Sequence, residues 1–174
     1  MVFAPQPHGG GLQYQIPMNR FHTLALQSIL PAAAAWVRRR ERLVLQQGAP
    51  LSDSLIEDAR AMGVLRPERI RVLWTDQIEL PGYSLLLRTS HRRPRLTPPT
   101  IGGITFRYAI TIRTDSADPR HVLAHECVHT AQYERLGGIR PFLFQYFQEC
   151  LEFGYAQAPL ELEAVQRARN IHSL

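Results

Sequence analysis

The sequence predicts a single-domain α+β fold, and three observations lead to this prediction. The chain has 174 residues, of which 45% are hydrophobic and 20% are charged, which is typical of one globular domain. Apolar residues recur with helical spacing near both ends of the chain, over residues 20–47 and beyond Pro159. Between these ends, apolar and polar residues alternate over 104–113, as they do in a half-buried strand.

The domain organisation follows from composition and patterning. Residues 1–18 are rich in Pro, Gly and Gln, and we expect them to form a flexible N-terminus. Residues 19–174 would then form one domain. Within it, residues 19–63 are expected to hold N-terminal helices, and residues 64–174 the sheet and the later helices.

The first helix is expected over residues 20–47 and should bend or break near Pro31, because proline removes a hydrogen bond of the helix interior. The basic run at 38–42 would lie on a solvated face. A second, shorter helix would begin with a capping box, since Ser54 and Glu57 have the required spacing. Glycine at position 63 is suited to end it.

The strands are expected in the middle of the chain. Residues 69–75 and 83–88 are short β-like runs. Residues 104–113 read as one continuous strand with a single apolar face. That face would comprise Ile104, Phe106, Tyr108, Ile110 and Ile112.

Three helices are expected after the strands. Asp118 followed by proline is a strong helix start, and this helix can run to Leu136 before two glycines end it. The next helix would begin near Pro141 and end at Gly154, and the last would begin near Pro159.

Composition also limits the possible partners and compartments. The net charge is +5 and all twenty basic residues are Arg, but the charge is spread along the chain and lacks interleaved aromatics, so nucleic acid is not an expected partner.

Residues 24–37 are too short and too polar for a membrane span. A cytoplasmic location is favoured because residues 1–18 lack signal-peptide order, although a start at Met18 would give a faintly signal-like run. The sequence leaves open the oligomeric state and whether Cys127 and Cys150 pair.

The residues that carry chemistry are His125, Glu126 and His129, which lie on the helix expected after Asp118. Two histidines four residues apart lie about 40° apart around a helix and about 6 Å apart along it, so both imidazoles can reach one metal ion. Glu126 lies on the adjoining flank, where its carboxylate can act as a general base. This is the chemistry of the HExxH motif, which predicts a zinc site.

A catalytic zinc site normally takes a third protein ligand, and the last helix offers Glu161 and Glu163. Two residues apart on a helix, they cannot both face inward. Glu161 falls at the edge of an apolar stripe, where a carboxylate is costly unless it is paired or binds a metal. Glu163 would project to the opposite face and form an exposed ion pair with Arg167. We therefore predict His125, His129 and Glu161 as the metal ligands.

Other residues near the motif have alternative roles. His121 lies about 12 Å along the helix from His129, too far for both to bind one ion, and would be a surface group or a wall of the cleft. Cys127 is expected to face the core. Gln132 and Tyr133 could hydrogen-bond a ligand or simply pack. The candidates for stabilising an oxyanion are Tyr133, Tyr155 and His121.

The sequence HECVHTAQY at 125–133, followed by APLELEA at 158–164, resembles zinc metallopeptidases of the gluzincin type. It is most similar to small bacterial proteins with HExxHxxQ followed by PxExEA. The resemblance spans about residues 65–170 and implies a zincin-like fold, with the metal-binding helix packed beside a small sheet and C-terminal helices. It also implies zinc ligation by Glu161 and a strand ahead of the metal helix that binds extended substrate. Larger relatives carry Asp where this chain has Val165.

These observations predict a zinc-dependent hydrolase, specifically a metallopeptidase acting on a peptide or protein substrate. Zn²⁺ would lower the pKa of its bound water, and Glu126 would accept the proton and pass it to the leaving amine. Edge pairing along residues 104–113 would orient the peptide. The alternative is a catalytically silent zincin-like metal-binding module with a structural or interaction role. A third hypothesis, nucleic-acid binding by the Arg-rich segments, predicts an affinity that falls steeply with salt.

Overall fold

The computed structural model describes residues 20–78, 101–169 and 171. Within these residues the chain has the mixed helical and sheet architecture that the sequence predicts. The helices are α1 (Arg20–Gln47), α2 (Asp53–Ala61), α3 (Pro119–Arg135), α4 (Ile139–Phe153) and α5 (Pro159–Ala168). The strands are β1 (Ala49–Pro50), β2 (Arg71–Thr75), β3 (Gly103–Phe106) and β4 (Ala109–Arg113). The predicted flexible N-terminus and the β-like run at 83–88 lie outside the described residues.

The strands form one sheet in the order β1-β2-β4-β3. β2 and β4 are parallel, whereas β1 pairs with β2 and β3 pairs with β4 in antiparallel fashion. β4 is therefore central and paired on both sides, and β3 is the outermost strand at that end of the described sheet. Helices cover both faces, which is why the first four residues of β4 are all buried.

The predicted single strand over 104–113 is wrong, because these residues form a two-stranded hairpin. Arg107 adopts a left-handed conformation with φ of 68°, and the chain reverses so that Phe106 pairs with Ala109. Directly opposed residues share a face of an antiparallel sheet, so Phe106 lies on the opposite face from Ile110. The sequence does not indicate this turn, because Tyr108 within it continues the apolar alternation. In the structure Tyr108 is 2% exposed, as a core residue would be.

Helix α1 covers one face of the sheet and does not break at Pro31, which lies inside the helix with its ring exposed. Val37 and Val44 on its inner side pack with Phe106 and Ala109 of the hairpin. Packing against the hairpin, and not intrinsic helix propensity, therefore stabilises α1 around Pro31.

The prediction that residues 38–42 form a wholly solvated face is wrong at Glu41. This side chain is buried and accepts a 2.6 Å hydrogen bond from Arg107 Nε in the hairpin turn. A buried carboxylate is tolerated because it is paired with the guanidinium. The pair fixes the turn of the β3–β4 hairpin against α1.

Helices α2 and α3 cover the other face of the sheet. The start of α3 is as predicted, since the Asp118 side chain accepts from the His121 backbone N–H and proline occupies the first turn. The predicted start of α2 is wrong by two residues, because Ser52 is the N-cap and accepts from the backbone N–H of Leu55. With the cap at Ser52, the third helical position is Leu55, and the Ser54–Glu57 capping box does not form.

Both cysteines are free thiols. Cys127 faces the core between α3 and the sheet, as predicted, and burial raises the pKa of its thiol far above the usual range. Burial also raises the pKa of Cys150, to about 12. Neither thiol therefore has the reactivity of a nucleophile at neutral pH.

None of the helices in the described ranges combines the length and apolar character needed to cross a membrane.

Candidate metal centre

Two imidazoles of α3 meet at one point. His125 and His129 lie one helical turn apart, their rings are 4.8 Å apart between centroids, and their Nε2 atoms are 3.1 Å apart. His129 is buried, and the His125 side chain is 18% exposed. The HExxH spacing thus produces the convergence of ring nitrogens that the sequence predicts.

Helix α5 packs along α3 and brings Glu161 to the two histidines. Its carboxylate oxygens lie 3.4 Å from the Nε2 atoms of His125 and His129, one oxygen to each ring. Glu161 is 4% exposed and lies in the first turn of α5. The start of that turn is fixed by Glu149 of α4, whose Oε2 accepts a 2.8 Å hydrogen bond from the Leu160 backbone N–H.

The three side chains fit a zinc ion. One ligand atom from each of His125, His129 and Glu161 can be chosen so that all lie within 4.8 Å of one another. Two ligand atoms that each lie about 2.1 Å from a tetrahedral zinc ion are about 3.4 Å apart. The two Nε2 atoms are 3.1 Å apart, and each lies 3.4 Å from one of the two Glu161 oxygens, so small shifts of these side chains would complete the geometry. Two neutral nitrogens and one carboxylate are also a donor set that zinc prefers. Among the described residues, this is the one group of three or more His, Cys, Asp and Glu side chains whose ligand atoms lie this close together. His121 does not belong to it.

The carboxylate of Glu161 and the imidazole of His129 shift each other's pKa values. Burial favours the neutral form of His129, but its hydrogen bond to Glu161 and the negative charge there outweigh burial and raise the pKa of His129 to about 9. Burial likewise opposes the charge of Glu161, yet hydrogen bonds to His125 and His129 hold its pKa well below the usual range. The cluster therefore carries a negative oxygen that attracts a cation, either a proton or a metal ion.

Tyrosines contact Glu161 from outside the metal helix. The hydroxyl of Tyr146 on α4 donates a 2.7 Å hydrogen bond to Glu161 Oε1. Burial and the nearby negative charge of Glu161 raise the pKa of both the Tyr146 and the Tyr155 hydroxyls. Tyr155 is among the candidates that the sequence predicts, whereas Tyr146 is not, although a tyrosine in an apolar helix needs a partner for its hydroxyl. Tyr133 stacks on Phe142 with centroids 3.7 Å apart, which favours the packing interpretation of that residue.

Glu126 lies beside the cluster and is held by the outermost strand. Its Oε2 accepts a 2.6 Å hydrogen bond from the hydroxyl of Thr105 in β3, and its backbone oxygen lies 3.0 Å from the same hydroxyl. The side chain is buried but is not a member of the ligand group. Thr105 was not identified from the sequence, because the contact joins residues 21 positions apart.

Gly103 allows β3 to approach Glu126. A Cβ atom at this position would lie 2.8 Å from Val122 Cγ1 and 2.9 Å from Glu126 Cγ. We expect Gly103→Ala to lower the free energy of unfolding by about 1–3 kcal/mol, because overpacking forces side chains and strand apart. Urea unfolding measures this change. Gly102→Ala is the matched control, since its Cβ would meet nothing closer than 3.3 Å, and an equal loss in both variants would contradict the explanation.

Glu163 does not form the simple exposed ion pair with Arg167 that the sequence predicts. Its Arg167 partner is 3.6 Å away, whereas Arg135 of α3 binds both carboxylate oxygens at 2.7 and 2.8 Å. The Arg135 hydrogen bond, outweighing partial burial, lowers the pKa of Glu163 to about 2. Glu163 also accepts from Gln132, whose other end contacts His129 Nδ1 at 2.8 Å. Its long side chain reaches back to α3, which helical projection alone does not reveal.

Comparisons of the chain with protein-family models, with curated proteins and with solved structures found no match. The resemblance to gluzincin-type peptidases therefore stays a prediction that rests on the two motifs.

Proposed function

We propose that this chain is a zinc-dependent hydrolase, specifically a metallopeptidase that cleaves an amide bond of a peptide or protein. The observation that carries the proposal is the convergence of His125, His129 and Glu161, with the buried carboxylate of Glu126 on the same helix and close enough for its charge to act on His129. A zinc ion held by these three residues would supply Lewis acidity toward the scissile carbonyl.

Glu126 would act as the general base. Thr105 holds its Oε2, so the carboxylate is oriented and its other oxygen, Oε1, is left to accept a proton from the attacking water. The absence of a side chain at Gly103 keeps the space beside Oε1 open, since a Cβ there would lie 3.0 Å from that oxygen. The same oxygen would then deliver the proton to the leaving amine.

Strand β3 favours a peptide over other substrates of a hydrolase. The sequence predicts edge pairing along 104–113, but β4 is paired on both sides. Among the described residues of this run, the strand edge is therefore offered by Gly103–Phe106. Thr105 in this strand contacts Glu126, so a peptide paired along β3 would run past the general base. This location supports binding of an extended chain.

A closed structural zinc site is the second candidate, and the burial of His129 and Glu161 favours it. Structural zinc sites almost always have four protein ligands. The group found among the described residues supplies three, which leaves one coordination position for water or substrate. The count of ligands therefore favours the catalytic proposal.

Zinc affinity is expected to rise with pH until about pH 9. Zinc binds neutral imidazole, and the raised pKa of His129 means that a proton must leave before the metal binds. Below that pKa, each lower pH unit should weaken binding by about tenfold, because one proton competes with one ion. Calorimetric titration with zinc at several pH values measures the slope, and an affinity independent of pH over this range would contradict the assignment.

The experiment that tests the proposed function is hydrolysis of a diverse peptide mixture by the zinc-loaded chain. We expect cleavage products in mass spectra, their loss after chelation, and their return when zinc is restored. Zinc binding with no cleavage of any peptide would instead support the structural candidate.

A further inference from the structure

The side-chain amide of Gln132 is fixed by three hydrogen-bonding contacts inside the molecule. Its Nε2 lies 2.9 Å from the backbone oxygen of Leu160 and 3.1 Å from Oε2 of Glu163. Its Oε1 lies 2.8 Å from Nδ1 of His129. Gln132 is completely buried, so water does not compete for these contacts.

The partners of Gln132 determine which end of the amide faces His129. A backbone carbonyl and an ionised carboxylate can only accept hydrogen bonds, so the atom between Leu160 and Glu163 must be the amide nitrogen. The amide oxygen therefore faces His129 Nδ1, and this oxygen can only accept. It follows that Nδ1 carries a hydrogen and donates it to Gln132.

The Nδ1–H of His129 has a consequence at the other ring nitrogen. A neutral imidazole has one N–H and one lone pair, so a hydrogen held at Nδ1 places the lone pair on Nε2. Nε2 is the atom that lies 3.4 Å from Glu161 and 3.1 Å from the Nε2 of His125. In the neutral form of His129, which is the form that binds a metal ion, the lone pair is thus on the side of the ring where the candidate metal centre lies.

We propose that Gln132 and Glu163 are positioning residues that hold His129 in the Nδ1–H form, with Nε2 presented to the metal. The hydrogen-bonding part of this inference is independent of the proposed function, whereas its effect on zinc affinity rests on that function. Arg135 supports the arrangement by binding both oxygens of Glu163, which fixes the carboxylate in front of Gln132.

The role of Glu163 in this arrangement is to supply an acceptor, not a charge. The side chain of Glu163 is 27% exposed, so its replacement need not disturb the core. Glu163→Leu removes the acceptor and frees one amide hydrogen of Gln132. Glu163→Gln keeps an oxygen that can accept from Gln132 while removing the charge, which makes it the conservative variant for rescue.

The test uses the complete chain with ¹⁵N-labelled histidine. We expect a slowly exchanging Nδ1–H resonance, assigned to His129 by its disappearance in His129→Gln, because this hydrogen is buried and bonded to Gln132. Gln132→Met should abolish or strongly broaden it and lower zinc affinity by about 10–100-fold, the usual effect of losing a hydrogen-bond partner behind a ligand. Glu163→Leu should give a smaller loss of the same kind, because Leu160 still holds the amide, and Glu163→Gln should restore values near wild type.

The proposal is overturned if Gln132→Met keeps the protected Nδ1–H resonance and the zinc affinity. The part concerning Glu163 is overturned if Glu163→Gln is as impaired as Glu163→Leu, since the charge would then matter and not the acceptor. If Gln132→Met does not fold, the two Glu163 variants decide the matter. If the wild type binds no zinc, the proposed function fails, and the resonance and its response to the variants still decide the hydrogen-bonding inference.

Discussion

Replacement of Glu126 by Gln is expected to remove hydrolysis while zinc stays bound. The amide keeps the size of the carboxylate and can still accept from Thr105, but it cannot take a proton from water at neutral pH. Loss of a general base lowers rates by about 10²–10⁴-fold. Glu126 lies outside the ligand group, so zinc stoichiometry should match that of the wild type. The measurement pairs a peptide cleavage rate with zinc content for each preparation.

Glu57→Gln is the matched control for this substitution. It makes the same chemical change on the exposed side of α2, and it should leave both hydrolysis and zinc content unchanged. Equal cleavage by Glu126→Gln and the wild type would rule out Glu126 as the base. It would then favour the metal-binding module without turnover, with the cleavage coming from a contaminating peptidase.

Replacement of Glu161 by Gln is expected to abolish zinc binding at micromolar metal. The change removes the negative ligand and leaves two imidazoles whose Nε2 atoms are 3.1 Å apart. Loss of a hydrogen-bond partner behind a metal ligand lowers metal affinity by about 10–100-fold. We expect the loss of a ligand itself to lower the zinc affinity by more than this. Competition with a chromophoric chelator gives the dissociation constant. Hydrolysis should disappear together with the metal.

Glu163→Gln is the control for Glu161→Gln, because the two residues lie two positions apart on α5. The structure places Glu161 on the imidazoles and Glu163 on Arg135. Zinc should therefore remain bound to Glu163→Gln with near wild-type affinity. Loss of zinc from Glu163→Gln alone would show that the ligand assignment from helix faces is wrong.

The sequence predicts those parts of the fold that depend on local chemistry. Asp118 caps the start of α3, two glycines follow its end at Leu136, and Gly154 follows the end of α4, as expected. The start of α4 is at Ile139, two residues before the predicted Pro141. The placement of Glu161 on the inner side of α5 also follows from helical periodicity, since a carboxylate on an apolar stripe requires a partner. Each of these predictions uses residues within one or two helical turns.

The contacts that the sequence did not reveal join distant parts of the chain. Glu41 was read as part of a solvated run, yet it meets Arg107, which is 66 residues away. Thr105 and Tyr146 reach the site from β3 and α4, and neither carries a motif. The hairpin within 104–113 is not predictable from the pattern, because its turn residues, Arg107 and Tyr108, continue the alternation of polar and apolar residues and include no glycine, proline or asparagine.

The most direct test of the central claim is anomalous diffraction at the zinc absorption edge from crystals of the zinc-loaded chain. The account predicts one zinc ion per chain, bonded to Nε2 of His125, Nε2 of His129 and a carboxylate oxygen of Glu161. Zinc bound to other residues, or no anomalous peak within bonding distance of these three side chains, would contradict it.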